Sequence, residues 1–300
     1  MAKIAVELEG WVARRTAGAS AVRSDFRVLA HGDGWPERPD WIVGDAICTA
    51  GPQDRPFEER HSRVGISIVV AGSFEYRSAA GRAALTPGSL LLGSLDRCYE
   101  CGHAHGTGDR CLSFGFTPEY FERVAADAGV RGVAPGFPIA RLPALRVLSP
   151  LIARALAGLT GDATVSWEEI GVRLAAETVH LACGTRHAPR EAPPGAVARV
   201  TRTVRAIERH PELGLPLGDL ARHAGLSPYH FLRTFERVTG LTPHQYILRG
   251  RLREAARRLA VEPARILDIA LDCGFGDVSN FNRAFRTEFG VSPRAFRRAE

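Results

Sequence analysis

Leu217–Tyr246 reads "LGDLARHAGLSPYHFLRTFERVTGLTPHQY", and Ile266–Phe296 reads "ILDIALDCGFGDVSNFNRAFRTEFGVSPRAF". The second stretch repeats the first. Leu217–Leu226 aligns with Ile266–Phe275 at an offset of 49. After the extra Gly276, Ser227–Tyr246 aligns with Asp277–Phe296 at an offset of 50. The repeated positions have physical roles. Leu220/Ile269 and Ala221/Ala270 open each unit with apolar contacts. Gly225/Gly274 stand where a helix must stop with a positive φ. Ser227/Asp277 are N-caps for a second helix. Phe231/Phe281 and Phe235/Phe285, four residues apart, form that helix's buried stripe. Helix, glycine turn and capped helix make a helix-turn-helix, here present twice. Between the copies, "TPHQYILRGRLREAARRLA" reads as one helix from Pro243 to about Ala260. A rigid spacer of this kind can hold two second helices about one DNA turn apart, roughly 34 Å.

Charge points the same way. The chain has 300 residues and a formal net charge of +6, yet the stretch from Val197 to the end carries +7 and everything before it −1. A basic third on a neutral body fits a polyanion partner. Turning 100° per residue from Phe231 places Tyr229, Arg233 and Arg237 on the outer face of the first capped helix. Ser279, Asn282, Arg283 and Arg286 fall on the outer face of the second. Arginine can pair with guanine and asparagine with adenine in the major groove. Tyr229 and His230 can supply apolar or phosphate contacts, and Arg249 and Arg294 further phosphate contacts.

These two stretches resemble, nearly throughout, the DNA-binding domain of AraC/XylS-type transcription regulators. The resemblance covers the C-terminal hundred residues. It implies a chain with two helix-turn-helix units on an asymmetric site in double-stranded promoter DNA, often within a homodimer and in contact with RNA polymerase. Activation is the family's commoner mode. The positions matching Tyr229, Arg233, Ser279, Asn282 and Arg283 are commonly base-reading ones there.

The rest of the chain has a different texture, so the expected fold class is α+β. "HAPREAPPGAV" (His187–Val197) is proline-rich and lacks apolar periodicity, which reads as a linker over 187–197. The expected division is therefore a sensor and dimerisation domain over 1–186 and a DNA-binding domain over 198–300. From about 26 to 116 the pattern is β-like. "VGISIVVAGSFEYRS" alternates around Gly72, and "GRAALTPGSLLLGS" predicts a strand pair across Thr86-Pro87-Gly88. From about 117 to 183 it becomes helical, opening with Thr117 as N-cap and Pro118 in the first turn. "LTPGSLLLGS" resembles the cupin-type β-barrel sensors that precede many AraC-type domains. The helices after such barrels commonly dimerise, and "PALRVLSPLIARALAGL" is apolar enough for that or for a core helix.

One motif stands outside this scheme. "CYECGHAHGTGDRC" (Cys98–Cys111) holds three of the chain's six cysteines and two of its ten histidines. Residues two apart share a strand face, so Cys101, His103 and His105 project to one side. "GTGD" predicts a hairpin reversal. A five-residue loop puts Cys111 on the same face; a four-residue loop puts Arg110 there instead. Two imidazoles and two thiolates suit tetrahedral zinc or another transition metal. Cys98 is out of phase, and His61 is a further candidate ligand. A thiol-reactive sensor and plain structural packing are the alternatives, as is a metal-dependent cupin enzyme fused to a DNA-binding tail. No nucleophile–base arrangement or nucleotide-binding loop appears, so no enzyme is expected. No apolar run of 18 residues and no secretory leader pattern is found, which predicts a cytoplasmic protein without a membrane span.

Overall fold

The computed structural model describes residues 24–33, 37–56, 58–104, 106–130, 136–159, 165–184, 195–211 and 216–298, without the side chains of Pro228 and Tyr229. Among the described residues there are ten strands, the last of them after the first helix: β1 (Ser24–His31), β2 (Trp41–Cys48), β3 (Glu58–Arg60), β4 (Val64–Gly72), β5 (Phe74–Ser78), β6 (Gly81–Leu85), β7 (Leu90–Gly93), β8 (Cys98–Gly102), β9 (Asp109–Phe116) and β10 (Arg141–Leu142). They form two antiparallel sheets. One has the order β1-β2-β9-β4-β7-β10 and the other β3-β8-β5-β6.

The expected barrel does not close: among the described residues no strand of one sheet pairs with the other. Three turns, two of them expected as hairpins, run between the sheets instead. The turns at Gly72, at Thr86–Gly88 and at 103–108 do not join paired strands. Each carries the chain from one sheet to the other. Turn residues mark where a chain reverses but do not say which strand receives it. The two sheets face each other across Val69, Leu91 and Cys111 on one side and Phe74, Tyr76 and Leu85 on the other.

Helices cover the outer face of the six-stranded sheet. Helix α1 (Pro118–Asp127) is capped by the Thr117 hydroxyl, which accepts from Tyr120 N at 3.3 Å. After a single 3-10 turn (Arg146–Leu148) come α2 (Ser149–Leu159) and α3 (Trp167–Gly184). Phe121, Ile152, Leu156 and Leu174 pack there on Ile66, Ile68, Leu112 and Phe114. The apolar surface of α2 is used inside the chain, since Ala153 also joins the core of the C-terminal helices. Its apolar character is that of a core helix in this structure.

Residues 185–194, which include most of the expected linker, lie outside the described residues. Then follow α4 (Ala196–Arg209), α5 (Leu217–His223), α6 (Pro228–Thr239), α7 (Pro243–Val261), α8 (Ile266–Asp272), α9 (Val278–Phe289) and α10 (Pro293–Arg298). The repeated sequence positions behave alike. Ser227 Oγ accepts from His230 N at 3.4 Å, and Asp277 Oδ1 from Asn280 N at 2.7 Å. Gly225 and Gly274 take φ of 65° and 85°. Phe231, Phe235, Phe281 and Phe285 are fully buried. The long helix α7 starts in a capping box between Thr242 and Gln245.

The helical third is docked on the rest. Buried Arg141 on β10 donates to Ala84 O at 3.0 Å and to Val238 O at the end of α6. Ser149 Oγ donates to Glu288 on α9. Arg249 donates to Ala144 O and lies 3.5 Å from Glu288. Hydrogen bonds involving a charged group contribute roughly 1.5–3 kcal/mol each. Arg249 is therefore committed to this seam and does not extend to a phosphate in this conformation, unlike the sequence expectation. A helical wheel shows which way a side chain points, but not what packs against it.

Candidate functional site

Two surfaces carry chemistry. The first consists of α6 and α9, each the second helix of its unit. Helix α6 buries two phenylalanines and α9 three, and each presents the opposite face to solvent. His230, Arg233 and Arg237 are exposed on α6, and Ser279, Asn282, Arg283 and Arg286 on α9. The Tyr229 side chain lies outside the described residues. Ser227 Oγ and His230 Nδ1 stand 2.8 Å apart, so the cap and this exposed imidazole form one group at the start of α6. Arg294 is exposed beyond α9. A helix with an apolar back, an arginine-bearing front and a capped start can lie in a major groove and direct planar donors at base edges.

The second surface is internal. A cavity of about 470 Å³ lies between the sheets and is lined by Cys48, Tyr99, Cys101, His103, Asp109 and Cys111, among others. Strand register explains how they meet. In the β2–β9 ladder Cys48 pairs with Asp109 and Ala46 with Cys111, so Cys48, Asp109 and Cys111 share one face. On β8, Cys101 pairs with Tyr76 across the opposite sheet. The connection from β8 to β9 brings His103 in from that side. Arg110 faces away from the cavity, its guanidinium held by Asp45 through two 2.9 Å contacts. The structure thus brings Cys101, His103 and Cys111 to one cavity. His105 lies outside the described residues, and Cys98 does not line it.

Among the described residues, Cys48, His103 and Asp109 place ligating atoms within 4.8 Å of one another. His103 Nε2 donates to Asp109 Oδ2 at 2.6 Å, and Cys111 Sγ donates to Asp109 Oδ1 at 3.5 Å. Burial by itself would lower the His103 pKa. Its hydrogen bonds to Asp109 and Cys48 and the negative charge of Asp109 outweigh that and hold it up at about 10. Burial first, then the charge of Asp109, pushes the Cys101 and Cys111 thiols well above their usual value. Neutral thiols are poor nucleophiles, which weighs against the electrophile-sensing alternative. His61 is apart from this cluster. It stacks on Tyr99 at 4.1 Å, meets the Tyr76 hydroxyl at 2.8 Å, and is lowered by burial to about 4.

Sequence reasoning missed Cys48 and Asp109. Asp109 stands inside the cysteine-rich stretch, where the sequence marks it only as a turn residue. Nothing local marks Cys48, which joins the cluster through the β2–β9 register alone.

The connection between His103 and Asp109 also touches the helical third. Arg205 on α4 donates to Thr107 O at 3.0 Å and Gly108 O at 3.4 Å, and its guanidinium lies against Gly106.

The family model described as "Helix-turn-helix domain" matches residues 220–299. Over 83 residues the chain is 35% identical to the HTH-type transcriptional activator AarP of Providencia stuartii, a match covering 28% of this chain and 62% of that one. Over 84 residues it is 37% identical to the probable transcription factor PqrA of Proteus vulgaris, covering 28% and 69%. The chain spans about a third of several longer curated relatives. A solved transcriptional regulator with an AraC-type DNA-binding domain, from Chromobacterium violaceum, is 31% identical over 35% of this chain and 93% of its own, with a TM-score of 0.33. Among the described residues no helix is long and apolar enough to cross a membrane.

Proposed function

The chain belongs to the AraC type of DNA-binding transcription regulators, and from that premise we propose that it is an effector-controlled activator reading an asymmetric double-stranded site with α6 and α9. The reading rests on one observation above all. The two units bury equivalent phenylalanines and expose arginine-bearing faces, and one continuous helix, α7, joins them. Arg233 and Arg283 carry direct base contacts, with Asn282, Arg237, Arg286, Ser279, His230 and Tyr229 around them. The name of AarP supports activation. Family membership, not a missing catalytic group, sets aside the cupin enzyme.

In this reading residues 1–186 receive the signal, 187–197 link, and 198–300 bind DNA as part of a homodimer that engages RNA polymerase. The cavity between the sheets is of the size that small-molecule sites have, about 300–1,000 Å³. The test is selection of binding sequences from a random duplex library by the full chain, followed by titration. Arg233→Ala and Arg283→Ala should each weaken the selected site by about 1–3 kcal/mol and relax preference at one base pair. Unchanged affinity and preference in both variants would remove the assignment.

A further inference from the structure

We propose that Cys48, His103, Asp109 and Cys111 form a binding site for one thiophilic divalent cation of the zinc class, and that its occupancy reaches the first helix-turn-helix through Arg205. The site stands on geometry independent of the DNA-binding reading; its regulatory role rests on that reading.

The donors are two sulfurs, one imidazole nitrogen and one carboxylate oxygen, a set that suits a tetrahedral, borderline-soft ion. Three come from one sheet face, fixed by the β2–β9 ladder. The fourth, His103, arrives from the opposite sheet. Cys48, His103 and Asp109 already hold their ligating atoms within 4.8 Å of one another, and Cys111, whose Sγ stands 3.5 Å from Asp109 Oδ1, moves in as the fourth. His103 Nε2 and Asp109 Oδ2 stand closer, at 2.6 Å, because a proton lies between them. Around a tetrahedral ion these two atoms separate to about 3.3 Å, given metal–ligand distances near 2.0 Å. The ion replaces that shared proton and the thiol protons of Cys48 and Cys111, all three leaving to solvent. No oxidant or reductant is involved.

Loading therefore moves His103 away from Asp109 by a fraction of an ångström. These residues are the two ends of one short connection. Its middle, Gly106–Gly108, is where Arg205 of α4 is seated. Helix α4 packs in one core with α6: Val200, Val204 and Ile207 meet Phe231 and Phe235 there. A shift of the connection thus reaches the first unit directly. The second unit, docked through Glu288 and Ser149, has no such link among the contacts described above.

The experiment uses the full chain, stripped with chelator under reducing conditions and titrated with Co2+ as a spectroscopic probe. Expected are one ion per chain, an intense thiolate-to-cobalt band, tetrahedral visible absorption, and displacement by Zn2+. Cys48→Ser and Cys111→Ser should each weaken Co2+ by roughly tenfold or more, with the fold checked by circular dichroism. Absence of the thiolate band in folded protein, or Co2+ binding indifferent to both serine variants, overturns the site. Zn2+ should change affinity for library-selected DNA by about fivefold or more. Arg205→Ala should keep the cobalt spectrum and lose that change. Loading without any effect on DNA binding overturns the coupling alone. A chain that loads metal but selects no DNA sequence refutes the regulator reading and leaves the site standing.

Discussion

The two helix-turn-helix units share a skeleton but not a core. In the second, Phe275, Phe281, Phe285, Phe289 and Phe296 contact one another ring against ring. The aligned positions of the first are Leu226, Phe231, Phe235, Thr239 and Tyr246. Thr239 turns its hydroxyl to Phe235 O and Leu241 O. Tyr246 donates to the buried carboxyl of Glu208 at 3.3 Å. So the unit next to the sheets keeps polar groups inside, where the second packs hydrocarbon. The repeat preserves what starts, stops and buries each helix, and it varies what each unit is fastened to.

The largest expected effect probes the shared part. Phe231→Ala and Phe281→Ala each remove a fully buried ring and should cost about 3–5 kcal/mol in urea unfolding. If the skeleton is truly common, the two losses agree within their errors. A much smaller loss in one unit would mean that its core collapses around the hole.

The next effect separates the units by pH. Burial lifts the Glu208 carboxyl to about 8, although Arg205, the Tyr246 hydroxyl and Arg253 pull the other way. Between its ordinary 4.5 and about 8 the folded chain holds a proton that the unfolded chain has released. This contribution to stability is complete below pH 4.5 and is lost as pH rises toward 8, by at most about 1.4 kcal/mol per unit. Glu208→Gln should flatten the fall measured by unfolding at pH 5, 6, 7 and 8. An equal slope in the variant would place the dependence elsewhere.

The smallest effect concerns one aligned glycine pair. Gly240 and Gly290 end α6 and α9 with φ of 81° and 79°. Alanine at either position costs about 1–2 kcal/mol for the left-handed backbone. At Gly290 the added carbon meets open space, whereas at Gly240 it would lie 2.4 Å from Pro143 Cβ. Gly240→Ala should therefore lower the melting temperature further than Gly290→Ala. Equal shifts would mean that Pro143 yields without cost.

That pair also shows where sequence stops speaking. Caps, glycine stops and the phenylalanine stripe are local, and Ser227, Asp277, Thr117 and Phe231 were all readable from spacing. The sheets were readable as strands but not as pairs. Thr86–Gly88 and the turn after His103 look like hairpin turns because reversal is local, whereas the destination of the chain depends on sheets assembled from distant segments. The same limit divides the metal cluster. His103 and Cys111 follow from strand alternation and one loop. Cys48 needed a register that no short window contains. Arg249 was placed on the correct helix, but its engagement with Ala144 and Glu288 depends on the packing of the two halves.

Arg141 gives that packing a practical consequence. Its buried guanidinium has one acceptor within the sheets and another on α6. Pro143 lies against Gly240, Ala144 belongs to the first unit's core, and Ala153 to the second's. A fragment cut ahead of α4 would leave Arg141 with an acceptor missing beside an uncovered apolar seam. Such a fragment invites aggregation, and its behaviour would report the cut rather than the domain. The seam between the two halves is better probed by point substitution in the intact chain.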